Sequence, residues 1–173
     1  MTDKRRLFFA VWPDEPAAKR LHDAARDAQR NCGGRLMRRE TLHLTLAFLG
    51  EVPSVRVADA AAVAGGMVFS PFTLTLDRVD YWKHNRIVWV GGESPELATL
   101  AASLGHGLRA AGFRLEARPF VAHMTLLRDA RCAEAPAPAV QIAWPVSEFT
   151  LVESRLAPGG SRYDIVGRWP AAT

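Results

Sequence analysis

Apolar and polar residues alternate along several short segments of the chain, which is the pattern of half-buried β-strands. The segment Phe72-Thr73-Leu74-Thr75-Leu76 shows this alternation most clearly. Other segments with similar alternation, or with short apolar runs, end at turns that contain glycine or proline and predict further strands. The predicted strands cover residues 7–12, 36–38, 41–49, 72–76, 87–90, 113–117, 120–127, 148–155 and 163–169.

Three segments predict helices instead. The first begins at Asp14, an acidic cap residue, with Pro16 in its first turn, and the pair Gly33-Gly34 ends it. The next two begin at pairs of serine and proline and end at glycines. The predicted helices cover residues 14–31, 53–65 and 94–111, and residues 131–139, rich in alanine and proline, form a predicted surface loop.

Strands and helices follow the same order, β, α, β, β, in each half of the chain. No long linker separates the halves, so we expect residues 1–173 to form one bilobal domain. The predicted fold is α+β, with two pseudo-symmetric lobes of antiparallel-rich sheet. The helices cover the outer faces of the sheets, and a central cleft lies between their inner faces.

A four-residue pattern occurs once in each half, as His43-Leu44-Thr45-Leu46 and His123-Met124-Thr125-Leu126. Successive side chains of a strand point to opposite faces, so each copy places its histidine and threonine together on one face. The apolar residues of each copy then point into a core. Two such strands side by side would present two imidazoles and two hydroxyls to one cleft.

This set of side chains suits acid–base chemistry on a phosphate without a metal. Histidine changes charge near neutral pH, so one imidazole can accept a proton while the other donates one. No Asp or Glu recurs at a fixed offset from the two copies, and two histidines are too few ligands for a metal site. One histidine in an apolar strand is usually structural, but His22, His84 and His106 do not recur in this way.

Composition and charge narrow the partners only slightly. The 173 residues are 49% hydrophobic and 23% charged, as in globular proteins, and no apolar run reaches membrane-spanning length. The net charge of +4, mostly from arginine, favours an anionic partner. Cys32 and Cys132 could form one disulfide, but we expect reduced thiols in a cytoplasmic protein. Sequences typical of P-loops, nucleophile elbows and zinc ribbons are missing.

The motifs and their flanks resemble the two-histidine (2H) phosphoesterases over nearly the whole chain. Within them the chain is similar to the RNA 2′,3′-cyclic phosphodiesterases of bacteria and archaea, also called LigT-like or 2′-5′ RNA ligase proteins. The segments that carry the resemblance are RLFFAVW at 6–12, LHLTLAFLG at 42–50, RPFVAHMTL at 118–126 and VESRL at 152–156.

The resemblance implies a reaction and a role for each site residue. The family opens a terminal 2′,3′-cyclic phosphate on RNA, leaves a 2′-phosphate and needs no cofactor. By position, His123 is the proton acceptor that activates water, and His43 is the proton donor to the departing 3′ oxygen. Thr45, Thr125 and Arg128 would bind the phosphate. Strand alternation points Arg128 away from His123, so this role requires a bulge or the end of the strand to redirect the arginine.

Three functions stay open on the sequence alone. The first is hydrolysis of cyclic phosphates, and the second is the reverse chemistry, 2′-5′ ligation of RNA without ATP. The third is a non-catalytic module that binds RNA or nucleotides. The expected partners are RNA ends or nucleotides with a 2′,3′-cyclic phosphate, not a membrane, and a monomer suffices. Phe9, Phe48, Tyr81 and Trp82 are candidates for stacking on a base, although each also suits a core.

Overall fold

The fold is α+β, and the described residues form two four-stranded sheets, a two-stranded ribbon and three α-helices, with all strand pairs antiparallel. The structure is a computed structural model and describes residues 2–136 and 140–173. The part of the predicted loop at 137–139 lies outside the described residues. The strands are β1 (Lys4–Val11), β2 (Arg35–Leu36), β3 (Leu44–Pro53), β4 (Phe72–Leu76), β5 (Arg78–Trp82), β6 (Ile87–Gly91), β7 (His123–Arg128), β8 (Ile142–Val146), β9 (Glu148–Ala157) and β10 (Gly160–Pro170).

Each sheet carries one of the two motif strands. The first sheet has the order β10-β9-β1-β3, the second has the order β2-β7-β6-β5, and β4 pairs with β8 in the ribbon. The first motif therefore lies on an edge strand of one sheet, and the second lies on an inner strand of the other. The predicted two-lobed arrangement with one motif in each lobe agrees with this topology.

The first and third helices begin where their capping residues predict, whereas the second, predicted from residue 53, begins at Val57 after a 3-10 turn. Asp14 accepts a hydrogen bond from the backbone N–H of Ala17 at 2.9 Å, and Ser94 accepts one from Leu97 at 3.2 Å. Short 3-10 turns lie over Arg39–Thr41 and Ser54–Arg56. The α-helices are α1 (Glu15–Cys32), α2 (Val57–Gly65) and α3 (Pro95–Ala110).

One core joins the helices to the apolar faces of the sheets. The apolar face of α1, which includes Leu21 and Ala25, is buried, and so are Leu44 and Leu126 of the motif strands. Each large aliphatic side chain buried in this way contributes roughly 1.5–3 kcal/mol. No helix among the described residues is long and apolar enough to cross a membrane.

The sequence predicted a strand at residues 113–117 that does not form, and it did not predict the strand at residues 142–146. Residues 113–117 form no strand, because Phe113 enters the core directly after α3 and its backbone N–H bonds to the carbonyl of Leu108. Residues 142–146 do form a strand, although they contain Pro145. This proline is tolerated because the ribbon has only two strands, so a residue without an N–H group costs no bond to a second neighbour.

The prediction of reduced cysteines was also wrong. The sequence favoured reduced thiols, but in the structure Cys32, at the end of α1, forms a disulfide with Cys132, which follows β7. Next to the disulfide, Gly34 has a φ of +85°, and a Cβ there would lie 2.6 Å from the carbonyl oxygen of Arg128. Only glycine fits this close approach. The end of α1 is thus held directly against the end of β7, the strand that carries Arg128.

Candidate functional site

The structure brings all five predicted site residues to one cleft. His43 lies immediately before β3, and His123 is the first residue of β7. The cleft between the two sheets has a volume of about 230 Å³. Its lining comprises Arg6, Phe8, Met37, Thr41, His43, Thr45, Phe48, His123, Thr125, Arg128, Ser154, Ser161 and Tyr163.

A bulge in each motif strand changes which side chains reach the cleft. On β3, Thr45 and Ala47 pair with successive residues of β1, so Leu46 between them is an extra residue. On β7, Thr125 and Leu127 pair with successive residues of β6, so Leu126 is extra at the same place in the repeat. After an extra residue, the next side chain that points to the cleft comes one position later than regular alternation predicts.

The bulge on β7 explains how Arg128 enters the cleft. Its position is five residues after His123, which regular alternation would turn toward the core. Because Leu126 is extra, Leu127 is buried and the side chain of Arg128 lines the cleft. The equivalent position of the first half, Phe48, also lines the cleft and is 40% exposed. The two halves therefore share a backbone but differ in chemistry at this point.

The hydrogen bonds of the two imidazoles are equivalent and define their tautomers. The Nδ1 atom of His43 lies 2.8 Å from the carbonyl oxygen of Thr41, and that of His123 lies 2.9 Å from the carbonyl oxygen of Val121. A carbonyl oxygen only accepts, so Nδ1 carries a hydrogen in both rings. Nε2 is then the nitrogen of each ring that can accept or donate a proton in the cleft.

Three aromatic rings of the cleft region surround His43. The ring centroid of His43 lies 4.9 Å from Phe8, 5.3 Å from Trp12 and 5.2 Å from Tyr163. Burial lowers the pKa of His43 from 6.5 to about 4, against the carbonyl of Thr41, which raises it. The positive charges of Arg128 and His123 lower this pKa further. His43 is therefore neutral at pH 7 in the free protein.

His123 has a more open environment of the same kind. Its ring lies 4.7 Å from that of Trp82 and 6.3 Å from that of Trp89. Burial lowers the pKa of His123, the carbonyl of Val121 raises it, and Arg128 lowers it. A neutral imidazole with a free Nε2 is the form that accepts a proton.

The lowered pKa of His43 predicts a pH-dependent stability. Between pH 6.5 and pH 4 the unfolded chain binds more protons than the folded chain, so the free energy of unfolding falls as the pH falls through this range. For His43 alone the loss between pH 7 and pH 5 is about 2 kcal/mol. Urea unfolding at pH 7 and at pH 5 measures this loss. Between the two pH values, we expect the free energy of unfolding to fall by about 2 kcal/mol less in the His43→Gln variant than in the wild type.

The control for this prediction is His106→Gln, which changes an exposed histidine of α3. This variant should keep the pH dependence of the wild type. Equal losses in the wild type and in His43→Gln would show that His43 titrates in the folded protein as it does in the unfolded chain.

Sequence reasoning missed several residues of the cleft. Arg6 on β1, Ser154 on β9 and Tyr163 on β10 form one row, because Ser154 pairs with both of the others across the first sheet. The guanidinium carbon of Arg6 lies 4.8 Å from the centroid of the Phe48 ring. Arg6 shares a strand face with Phe8, but no signal in the sequence shows that β1 lies beside β3.

The stacking candidates divide into exposed and buried rings. Phe9 is fully buried against Phe149 and Trp169, so it is not available to a base. The hydroxyl of Tyr81 donates to the carbonyl of Ala130, and its ring packs against the core. Two stacking candidates remain: Phe48 lines the cleft, and Trp82 lies beside His123. Within the described part of the chain, no three His, Cys, Asp or Glu side chains cluster as metal ligands would.

Comparisons with known proteins agree with this geometry. The profile of the family described as LigT like Phosphoesterase matches residues 11–89 and again residues 90–163. The two matches divide the chain between its two motif copies, as the repeat predicted.

Relatives and solved structures cover almost the whole chain. An RNA 2′,3′-cyclic phosphodiesterase of Escherichia coli (strain K12) is 38% identical, over 98% of this chain and 98% of the relative. One from Archaeoglobus fulgidus is 31% identical, over 91% of this chain and 96% of the relative. The crystal structure of Escherichia coli LigT complexed with 3′-AMP superposes with a TM-score of 0.91 at 36% identity, and the match covers 99% of this chain and 100% of that structure.

Proposed function

The chain belongs to the LigT-like phosphoesterase family, and from this we infer that it is an RNA 2′,3′-cyclic phosphodiesterase. Its substrates are RNA ends or nucleotides that carry a 2′,3′-cyclic phosphate, and its product is a 2′-phosphate. The observation that carries the proposal is the shared cleft, which holds two imidazoles and two threonines from equivalent strands beside a guanidinium. One chain supplies all of these groups, so the proposed reaction requires no second subunit.

Each imidazole handles one proton of the reaction through its Nε2 atom. A water oxygen attacks phosphorus while Nε2 of His123 accepts the proton of the water. The bond between phosphorus and the 3′ oxygen breaks, and Nε2 of His43 donates a proton to that oxygen. The bond to the 2′ oxygen remains, which leaves the 2′-phosphate. The backbone carbonyls of Thr41 and Val121 accept from Nδ1 of the two rings and so leave Nε2 of each ring for the proton transfer.

The remaining side chains hold the phosphate between the rings. The hydroxyls of Thr45 and Thr125 donate hydrogen bonds to its non-bridging oxygens. The guanidinium of Arg128 neutralises charge that develops on these oxygens as water attacks, which lowers the barrier most in a site that excludes water. Arg128 has no ion-pair partner among residues 2–136 and 140–173, so its charge is available to a ligand.

Because the pKa of His43 is low, this proton donor must become protonated when the substrate binds. In the free protein this ring is neutral at pH 7, with a pKa of about 4. The negative charge of a bound cyclic phosphate favours the imidazolium form and raises that pKa. After turnover the proton lies on His123 and His43 has lost its own. Exchange with solvent resets the pair before the next cycle.

Product analysis tests the proposal directly. We expect the purified chain to convert a 2′,3′-cyclic nucleotide and a cyclic-phosphate oligonucleotide to 2′-phosphates, at a rate that excess EDTA does not change. The imidazole pair supplies both proton transfers, so chelation removes nothing that the reaction uses. Chromatography against 2′- and 3′-phosphate standards identifies the product.

Other products would assign a different function. A 3′-phosphate would place bond cleavage at the 2′ oxygen. A 2′-5′ linkage formed with an RNA that carries a 5′-hydroxyl would show the reverse reaction. Retention of the nucleotide without turnover would identify a binding module, and loss of activity in EDTA would require a metal.

A further inference from the structure

A second cavity continues from the catalytic cleft. It has a volume of about 430 Å³, and the residues that it shares with the cleft are Arg6, Met37, Thr41, Arg128, Ser161 and Tyr163. Its far side consists of β2 and the turn between β9 and β10. The residues found only in this second cavity are Arg35, Leu36, Arg38, Leu156, Ala157, Gly159 and Gly160.

The charge of this cavity is one-sided. Four arginines line it, Arg6, Arg35, Arg38 and Arg128, and its lining includes no Asp or Glu. Opposite charges normally accompany such a cluster within a protein, because unbalanced guanidinium groups repel each other. Among the described residues, Arg38 forms an ion pair and the other three arginines form none.

The ion pair of Arg38 leaves most of its charge available. Its Nη1 atom lies 3.7 Å from Glu40, and both side chains are more than half exposed, so the interaction is weak. Its Nη2 atom donates to the carbonyl oxygen of Ser161 at 2.9 Å, which ties the guanidinium to β10. Arg35 lies beside the same turn, since a Cβ at Gly160 would be 3.5 Å from its Nη1 atom. The guanidiniums of Arg35 and Arg38 thus both lie beside the start of β10, and this part of the cavity forms a groove with two arginines.

The chemistry of the substrate supplies an anion for this groove. A 2′,3′-cyclic phosphate stands at the 3′ end of an RNA strand, so the rest of the strand leaves the cleft through the 5′ oxygen of the terminal nucleotide. The next groups along that path are phosphodiesters, each with one negative charge. Arginine's planar fork matches the oxygens of such a phosphate. The groove joins the cleft and carries a positive charge that complements these phosphates.

We propose that the groove lined by Arg35 and Arg38 binds the phosphodiester backbone of the RNA 5′ to the terminal nucleotide. This inference rests on the proposed function and narrows its substrates, since the enzyme then prefers RNA strands over mononucleotides. Leu36 and the 95% exposed Leu156 give the groove apolar positions beside the arginines, which suit contact with ribose. The backbone contacts carry no base preference.

The test compares a cyclic-phosphate mononucleotide with a tetranucleotide that ends in the same cyclic phosphate. We expect kcat/KM of the wild type to be about tenfold higher for the tetranucleotide at low salt, and to fall more steeply with salt, by about 0.7 in log–log slope for each added phosphate contact. In the double variant Arg35→Glu with Arg38→Glu, the ratio of the two kcat/KM values should fall to about one. Both residues are exposed, and circular dichroism checks the fold.

A matched control separates the groove from the overall charge. The double variant Arg26→Glu with Arg114→Glu makes the same change in net charge at two exposed positions outside both cavities, and it should keep the preference for the tetranucleotide. If Arg35→Glu with Arg38→Glu does not fold, the single variant Arg35→Gln should lose part of the preference.

The outcomes distinguish the two proposals. A wild type that opens neither substrate contradicts the proposed function itself. A wild type that opens both with equal kcat/KM overturns the groove, and so does a groove variant that keeps the full preference for the tetranucleotide.

Discussion

Alanine in place of His43 or His123 will lower kcat/KM for a 2′,3′-cyclic nucleotide by about 10³- to 10⁴-fold, because each variant lacks one of the two proton transfers. The two Nε2 atoms have separate roles, so neither ring can replace the other. The roles also predict opposite limbs of the pH profile. Without His43 the rate should lose its dependence on a protonated group, and without His123 it should lose its dependence on a deprotonated one.

The control for this experiment is His106→Ala, which should keep the rate of the wild type because His106 is exposed on α3. Thermal unfolding and circular dichroism of all three variants separate lost chemistry from lost structure. At pH 7.5 the His43→Ala variant should stay folded, since at that pH the native ring is neutral and forms only one hydrogen bond. A rate within tenfold of the wild type for either cleft variant would contradict the proposed roles.

Arg128→Ala will lower kcat/KM by about 10²-fold, with most of the loss in kcat. Its guanidinium stabilises charge that grows during the attack, and the loss of a donor of this kind typically costs 10²- to 10³-fold. The substitution also removes a positive charge that lowers the pKa of both histidines. The acidic limb of the pH profile should therefore move to higher pH, which a purely structural role of Arg128 would not cause.

Two further variants test the geometry of this arginine. Arg128→Lys keeps the charge but loses the planar fork, so it should recover only part of the lost rate. Arg131→Ala changes an exposed arginine three residues later and should behave as the wild type. If Arg128→Ala retained the rate and the pH profile of the wild type, Arg128 would have no part in the reaction.

The repeated motif made much of the site predictable from the sequence. Strand alternation placed His43 with Thr45 and His123 with Thr125, and the structure finds both pairs in one cleft. This prediction needed only local geometry, since each motif determines its own exposed face. The sequence required either a bulge or the end of the strand to redirect Arg128, and the register of β7 against β6 shows a bulge. The catalytic and phosphate-binding roles of these residues stay predictions.

What the sequence did not show depends on contacts between distant segments. Arg6 and Tyr163 reach the cleft because β1, β9 and β10 are neighbours in one sheet, and nothing in a local pattern determines that order. The unequal burial of the two imidazoles has the same origin. Trp12, directly after β1, and Tyr163 on β10 both enclose His43, so its low pKa follows only from the assembled fold.

The extra leucines at positions 46 and 126 also show how a bulge can be recognised in the sequences of other chains of this fold. A motif strand without the bulge would bring an arginine to the cleft four residues after its histidine, whereas a bulged strand does so at five. The interval between these two residue types thus reports the shape of the strand before any coordinates exist. An alignment that inserts a gap inside this interval would pair a cleft residue with a core residue and assign the anion-binding position to the wrong side chain.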